Sequence, residues 1–342
     1  MFSLTKKIIK HQGIGCMSWA EFYGSPIDDI QVFSLVKLAI ENGVNFFDTA
    51  DVYGYGLNEE QVGSAISKIM GQEISTREEI VLATKCGIIR EKDDPSKRGV
   101  DNSYDYVIDK CHQSLSRLGP DIGYIDLFYL HRVNKDQLED SMKAMAVLLD
   151  EGKILSVGLS EASMDVIEKA NSLLKEYTQG KHQISALQTE LSLMSKQALS
   201  NGLLDFCRDN DISFVAYSPL CRALLTGEIE NIDDLGSDDF RRSLPRFQKE
   251  NIQDNLKLLD TVKSIAHEKS CTTAQVALAW VKSIGAIAIP GTTKENNLLS
   301  NIKSLHLNLT DDEIHLLSNI ASAKGYRYTE AAMQAYGFYD EI

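Results

Sequence analysis

The chain has 342 residues, 43% hydrophobic and 25% charged, which is enough apolar material for a large buried core and an ordinary globular composition. Its formal net charge of -14 argues against broad contact with nucleic acid or an anionic membrane, because phosphates would meet net like charge. The six cysteines (Cys16, Cys86, Cys111, Cys207, Cys221 and Cys271) show no paired short spacing, so neither a metal site nor a disulfide framework is indicated.

Near the start, Lys6 and Lys7 precede only Ile8 and Ile9 before Lys10, an apolar run too short for a signal peptide. No later stretch is long enough to span a bilayer, so a reduced, cytoplasmic setting is expected. A first strand is predicted over 13–17, and the loop after it carries Trp19, Phe22 and Tyr23. These aromatics are candidates for a substrate pocket and equally for simple packing. Apolar residues at 3.6-residue spacing predict a helix over 31–40, stopped at Gly43. Strands are then predicted over 45–48, 80–85, 125–130, 154–160, 184–190, 213–217 and 286–289. Between and after them, helices are predicted over 60–70, 104–118, 137–149, 164–174, 203–210, 272–283 and 297–302.

Eight strands alternating with helices call for parallel pairing with right-handed crossovers, and a closed (β/α)8 TIM barrel, one domain over 1–342, is the expected fold. A doubly wound sheet is the runner-up, but its glycine-rich fingerprint is missing: Gly13 and Gly15 lack a third glycine, and Gly54 and Gly56 follow the second strand. Two segments depart from the repeat. The polar stretch 227–249, with Asp233, Asp234, Asp238, Asp239, Arg241 and Arg242, is a long loop after strand seven, read either as solvated and mobile or as part of the active rim. The tail over 325–342, with Tyr326, Tyr328, Tyr336, Phe338 and Tyr339, covers the pocket or docks on the barrel wall, and docking is slightly favoured.

In such a barrel every strand delivers its last residue to one rim, so Asp48, Tyr53, Lys85 and His131 converge although far apart in sequence. Taken singly, Asp48 is as well explained as a turn or helix cap and His131 as a histidine satisfied by a carbonyl. Together they read as chemistry. The Lys85 ammonium stabilises the Tyr53 phenolate and lowers its pKa, Asp48 supplies the counter-charge that Lys85 needs when buried, and His131 donates toward the same oxygen. That arrangement suits protonation of a carbonyl as it accepts hydride, and since no side chain carries hydride a nicotinamide cofactor is required. Its phosphates are expected on the loops after strands seven and eight, at Tyr217-Ser218-Pro219-Leu220 and at Gly291-Thr292-Thr293-Lys294-Glu295. Gly291 would permit close backbone approach, and Thr292 with Glu295 could also form an ordinary capping box.

On these residues the chain resembles the aldo-keto reductases along nearly its whole length. The segment 47–54, Phe-Asp-Thr-Ala-Asp-Val-Tyr-Gly, is similar to the signature holding that family's catalytic Asp and Tyr, and Ala83-Thr84-Lys85 and Tyr129-Leu130-His131 resemble the strands carrying its Lys and His. The segment 239–247 resembles the perakine-reductase-like and yeast branch. The resemblance implies NADPH as cofactor and an aldehyde or ketone as substrate, with Tyr53 as proton donor. It further implies that Ser160 and Gln188 hold the carboxamide, that Tyr217 stacks on the nicotinamide, that Ser218 and Leu220 line the diphosphate, and that Thr292, Lys294 and Asn301 hold the adenosine-phosphate end. Two positions depart from the pattern: Glu161 stands where many members have Asn, and Asn297 where many have Arg, which leaves the 2′-phosphate mainly to Lys294. A second reading is a cofactor-binding regulatory subunit, because barrel proteins associated with membrane channels share the same four residues.

Overall fold

The computed structural model describes residues 7–8, 11–94, 97–237 and 239–336. Asp238, Phe338 and Tyr339, noted above, lie outside the described residues. Eight parallel strands stand side by side in chain order: β1 (Gly13–Gly15), β2 (Phe46–Asp48), β3 (Val81–Cys86), β4 (Leu127–Leu130), β5 (Val157–Ser160), β6 (Ile184–Glu190), β7 (Ser213–Tyr217) and β8 (Ile287–Ala288). A parallel bridge from Gln12 to Ala288 brings the last edge to the first, so the sheet nearly closes into the expected (β/α)8 barrel. All eight predicted strands form, most of them shorter than their apolar runs.

Period-two alternation sorts the side chains into two cores. Phe46, Val81, Ala83, Leu127, Tyr129, Ala186, Val215, Ile287 and Ile289 pack together inside the barrel, while their strand neighbours, among them Phe47, Leu82, Phe128, Leu159, Leu187 and Phe214, join the larger core against the helices. Two glycines make room for the inner aromatics. A Cβ on Gly13 would stand 2.4 Å from the Phe46 ring, and one on Gly158 would stand 2.3 Å from the Tyr129 ring. The same parity carries upward along each strand, so Asp48 follows Phe46, Lys85 follows Ala83, His131 follows Tyr129, Gln188 follows Ala186 and Tyr217 follows Val215. The top layer of the barrel interior is therefore polar and titratable.

Around the sheet the predicted helices form with small shifts at their ends. Helix Tyr104–Leu118 has the predicted bounds and stops where Gly119 turns to φ 97°. Helix Thr273–Ser283 starts on a capping box in which Thr272 Oγ1 accepts the Gln275 N–H at 3.1 Å and Gln275 Oε1 accepts the Thr272 N–H at 3.1 Å. Four helices, Gln197–Ser200, Lys249–Lys257, Leu259–Glu268 and Asp311–Ser318, were not expected from the pattern, nor was a hairpin pairing Ile88–Arg90 with Arg98–Val100 beyond β3. Among the described residues no helix is long and apolar enough to cross a membrane.

The loop after β7 is not a free, solvated excursion. Ile229, Ile232, Leu235, Leu244 and Phe247 are buried in it, and Arg242 donates to the carbonyls of Ile232 and Leu235 at 2.8 and 2.9 Å. Apolar residues spaced among the aspartates tie the segment down. The tail also departs from the favoured expectation of a wall-docked helix. Arg246 donates to the Gly325 carbonyl at 3.2 Å, Tyr328 meets Tyr217 at the rim, and helix Glu330–Tyr336 lies beside the hairpin strand Arg98–Val100. The tail therefore crosses the mouth of the barrel.

Candidate active site

Lys85 is the hub of the site. Its Nζ lies 2.5 Å from Asp48 Oδ1, 2.8 Å from the Thr49 carbonyl and 3.3 Å from the Tyr53 hydroxyl, and the side chain has no exposure. The second Asp48 oxygen accepts from Gln188 Nε2 at 2.7 Å. Tyr53 is not on the strand itself. It sits at the start of a short turn, Tyr53–Gly56, whose N–H bonds to Ala50, and this turn folds the phenol back over Lys85. The His131 ring stands edge-on to Tyr53 with centroids 5.7 Å apart.

Burial dominates the electrostatics of this group. It pushes the Asp48 carboxyl up, against the pull of Lys85 and Gln188. Burial also works against the Lys85 ammonium, but Asp48 and Tyr53 outweigh it and hold Lys85 above the ordinary lysine value. We take the pair as charged, because donors at hydrogen-bond distance face both carboxylate oxygens and an unpaired buried ammonium would be far more costly. For Tyr53 the sequence expectation fails in sign. Lys85 does pull the phenol down, but burial outweighs it and the value is pushed up to about 12. Burial, with Lys85 and Arg132 nearby, lowers His131 well below the usual imidazole range, so it is neutral and has one N–H to donate.

The turn also buries Asp51, whose carboxylate accepts from no side chain, the nearest cation being Lys110 at 3.9 Å. Burial and the neighbouring Glu59 push it up to about 7. Its folded value lies above the unfolded value of about 4, so the folded state holds the extra proton and stability falls as pH rises through the window from about 4 to 7. Asp51→Asn is expected to stabilise the protein at pH 8, by at most about 4 kcal/mol, with little gain at pH 4. Thermal unfolding of both proteins at the two pH values checks this, and an equal shift at both would refute it.

The residues expected on the cofactor's phosphates fall into two groups on the same rim. In the loop after β7, Ser218, Cys221, Arg222 and Ala223 all have left-handed backbone, with φ of 48°, 47°, 55° and 75°. Non-glycine residues pay for such conformations, and successive ones turn N–H groups into a concavity for anions. Pro219 and Leu220 lie between them, and buried Arg222 Nη1 has no partner. In the loop after β8 the possible capping box does not form. Thr292 Oγ1 accepts the Lys294 N–H at 3.1 Å, and helix Glu295–Lys303 begins without a side-chain cap, with Lys294 exposed and Asn301 buried. Free N–H groups at that helix start and the left-handed loop both suit a dinucleotide's phosphates. Gly291 serves the β1 exit rather than open space, since a Cβ there would stand 2.8 Å from the Gly15 carbonyl oxygen.

Trp19 is fully buried and its Nε1 donates to the Thr292 carbonyl at 2.9 Å, so it packs the two loops together. Tyr23 and Phe22 instead face Phe240 from the loop after β7, each with centroids 5.2 Å from it. Ser160 is buried and accepts from Arg132 at 3.3 Å. Glu161 does not point to an open site: Arg327 of the tail holds both its oxygens, at 2.9 and 2.7 Å. Sequence reasoning missed Arg327, Arg222 and the partnership of Gln188 with Asp48. Among the described residues no cluster of histidine, cysteine, aspartate and glutamate could hold a metal ion.

Residues 13–322 match the Aldo/keto reductase family. The chain is 34% identical over 333 residues, 95% of each chain, to an aldo-keto reductase of Gibberella moniliformis. Among solved structures it resembles the glycerol dehydrogenase AKR11B4 from Gluconobacter oxydans (TM-score 0.79, 25% identity, 91% of each chain). It also resembles a thermostable aldo-keto reductase, Tm1743, solved with the inhibitor epalrestat (TM-score 0.70, 26% identity, 91% of this chain and 95% of that one).

Proposed function

Because the chain belongs to the aldo/keto reductase family, whose members carry out carbonyl reduction with NADH or NADPH, we propose that it reduces aldehydes or ketones to alcohols with NADPH, Tyr53 donating the proton. The observation that carries this reading is Lys85 Nζ, placed between Asp48 at 2.5 Å and the Tyr53 hydroxyl at 3.3 Å beside a neutral His131. When bound, the reduced nicotinamide supplies hydride.

The residues of the chain do the rest. A phenol that keeps its proton up to about 12 is a donor throughout the neutral range. An alkoxide is a far stronger base than a phenolate, so the proton leaves Tyr53 as the carbonyl oxygen gains charge, and the Lys85 ammonium stabilises the phenolate left behind. His131, neutral, donates to the same oxygen and fixes its position. Ser160 and Gln188 hold the carboxamide, while Glu161 is withdrawn to the tail. Tyr217 is the platform for the ring, Ser218, Pro219, Leu220 and Arg222 line the diphosphate, and Thr292, Lys294 and Asn301 hold the adenosine end. Tyr23, with Phe22 and Phe240 beside it, forms the apolar wall for the substrate, and Trp19, fully buried, lies outside it.

A panel of aldehydes and ketones followed by NADPH absorbance tests the reading, and absence of turnover on all of them would sink it. Lys294 is the cation offered to a 2′-phosphate, with Asn297 one turn on adding no charge. Lys294→Met is therefore expected to raise KM for NADPH by about tenfold and leave KM for NADH unchanged. A parallel rise for both cofactors would place Lys294 elsewhere.

A further inference from the structure

Glu161 stands just beyond β5 in a left-handed conformation, φ 55°, which a glutamate adopts only when its surroundings hold it there. Its Oε1 accepts from Arg327 Nη1 at 2.9 Å and from the Glu190 N–H at 3.0 Å, and its Oε2 accepts from Arg327 Nη2 at 2.7 Å. The two side chains are 9% and 8% exposed, so this is a forked ion pair shielded from water. Burial opposes both charges, yet Glu161 is held below and Arg327 above its ordinary range, because each is the other's main counter-charge. The pair joins residues 166 apart in sequence.

The same guanidinium reaches one residue further. Arg327 Nη1 lies 3.2 Å from the Tyr217 hydroxyl, and the hydroxyl of the next tail residue, Tyr328, lies 3.2 Å from it as well. Arg222 stacks over the Tyr328 ring at 4.4 Å, which fixes that ring in turn. Two consecutive tail residues thus converge on a single phenol at the end of β7.

We propose that Arg327 is a positioning residue: clamped by Glu161, it straps the tail across the barrel mouth and, through the Tyr217 hydroxyl, sets the tilt of the ring on which the nicotinamide lies. The role given to Tyr217 rests on the function proposed above. The departure at Glu161 is then not a lost carboxamide contact but one half of an anchor whose other half is in the tail.

The test is a fluorescence titration of NADPH against wild type, Tyr217→Phe, Arg327→Met, Glu161→Gln and the double variant Tyr217→Phe with Arg327→Met, with kcat measured alongside. Tyr217→Phe removes one hydroxyl and keeps the ring, so folding is not at stake, and circular dichroism checks the others. The expected result is that Tyr217→Phe and Arg327→Met each weaken NADPH binding and lower kcat by about tenfold, and that the double variant is no worse than the weaker single. Glu161→Gln is expected to follow Arg327→Met. A silent Tyr217→Phe, or a double variant whose losses multiply to about a hundredfold, overturns the proposal. Failure of the functional reading shows separately, as full turnover in Tyr53→Phe, and the titration decides the positioning role in either case.

Discussion

Tyr53→Phe is expected to lower kcat at least about 10²-fold, roughly 2.7 kcal/mol of barrier, while NADPH binding and the unfolding midpoint stay near wild type. The phenylalanine keeps the ring that packs edge-on to His131 and loses only the hydroxyl that Lys85 approaches at 3.3 Å. Without it the developing alkoxide has the His131 N–H to lean on but no acid in contact, so the proton must come from water. Stopped-flow measurement of NADPH oxidation at saturating aldehyde checks the step directly. Turnover within a few-fold of wild type would remove Tyr53 from the chemistry.

Lys85→Met is expected to cost both turnover and stability. The methionine fills a similar volume but leaves the Asp48 carboxylate, 2% exposed, without its cation, a loss of about 3–5 kcal/mol when a buried pair is broken from one side. Asp48 would answer by taking up a proton, which raises its folded pKa further above the unfolded value. The sign follows: the destabilisation is greater at pH 8 than at pH 5, because stability is lost as pH rises between the unfolded and folded values. Adding Asp48→Asn to Lys85→Met removes the orphaned charge, so it should recover much of the stability and none of the turnover. Recovery of turnover in the double variant would show that Lys85 acts only as a structural counter-ion.

The barrel was legible because alternation of residues with period two and of helices with period 3.6 survives in each segment without help from its neighbours. The polar rim was legible for the same reason: the parity that turns Phe46 and Ala83 inward carries Asp48 and Lys85 with them. Pairing across the chain is set by the folded structure alone. Glu161 stood out as a residue out of place, but nothing in its spacing distinguishes Arg327 from the other cations that could meet it. The sign of the Tyr53 shift is not legible in the sequence, because spacing reveals a neighbouring ammonium and not the depth of burial that outweighs it. Helix Asp311–Ser318 did carry a readable start, since Thr310 and Glu313 form a capping box with the two bonds at 2.7 and 3.2 Å. The hairpin at Ile88–Arg90 and Arg98–Val100 had runs of three residues, too short to show a period.

Tyr129 and Phe46, seated against Gly158 and Gly13, plug the barrel below the rim. The molecule is thus a blind cup, and a dinucleotide whose reactive ring lies on Tyr217 would have to enter by the same mouth as whatever it reduces. On the function proposed above, the coenzyme lying on Tyr217 is expected to enter first and leave last, an order that product-inhibition kinetics would check.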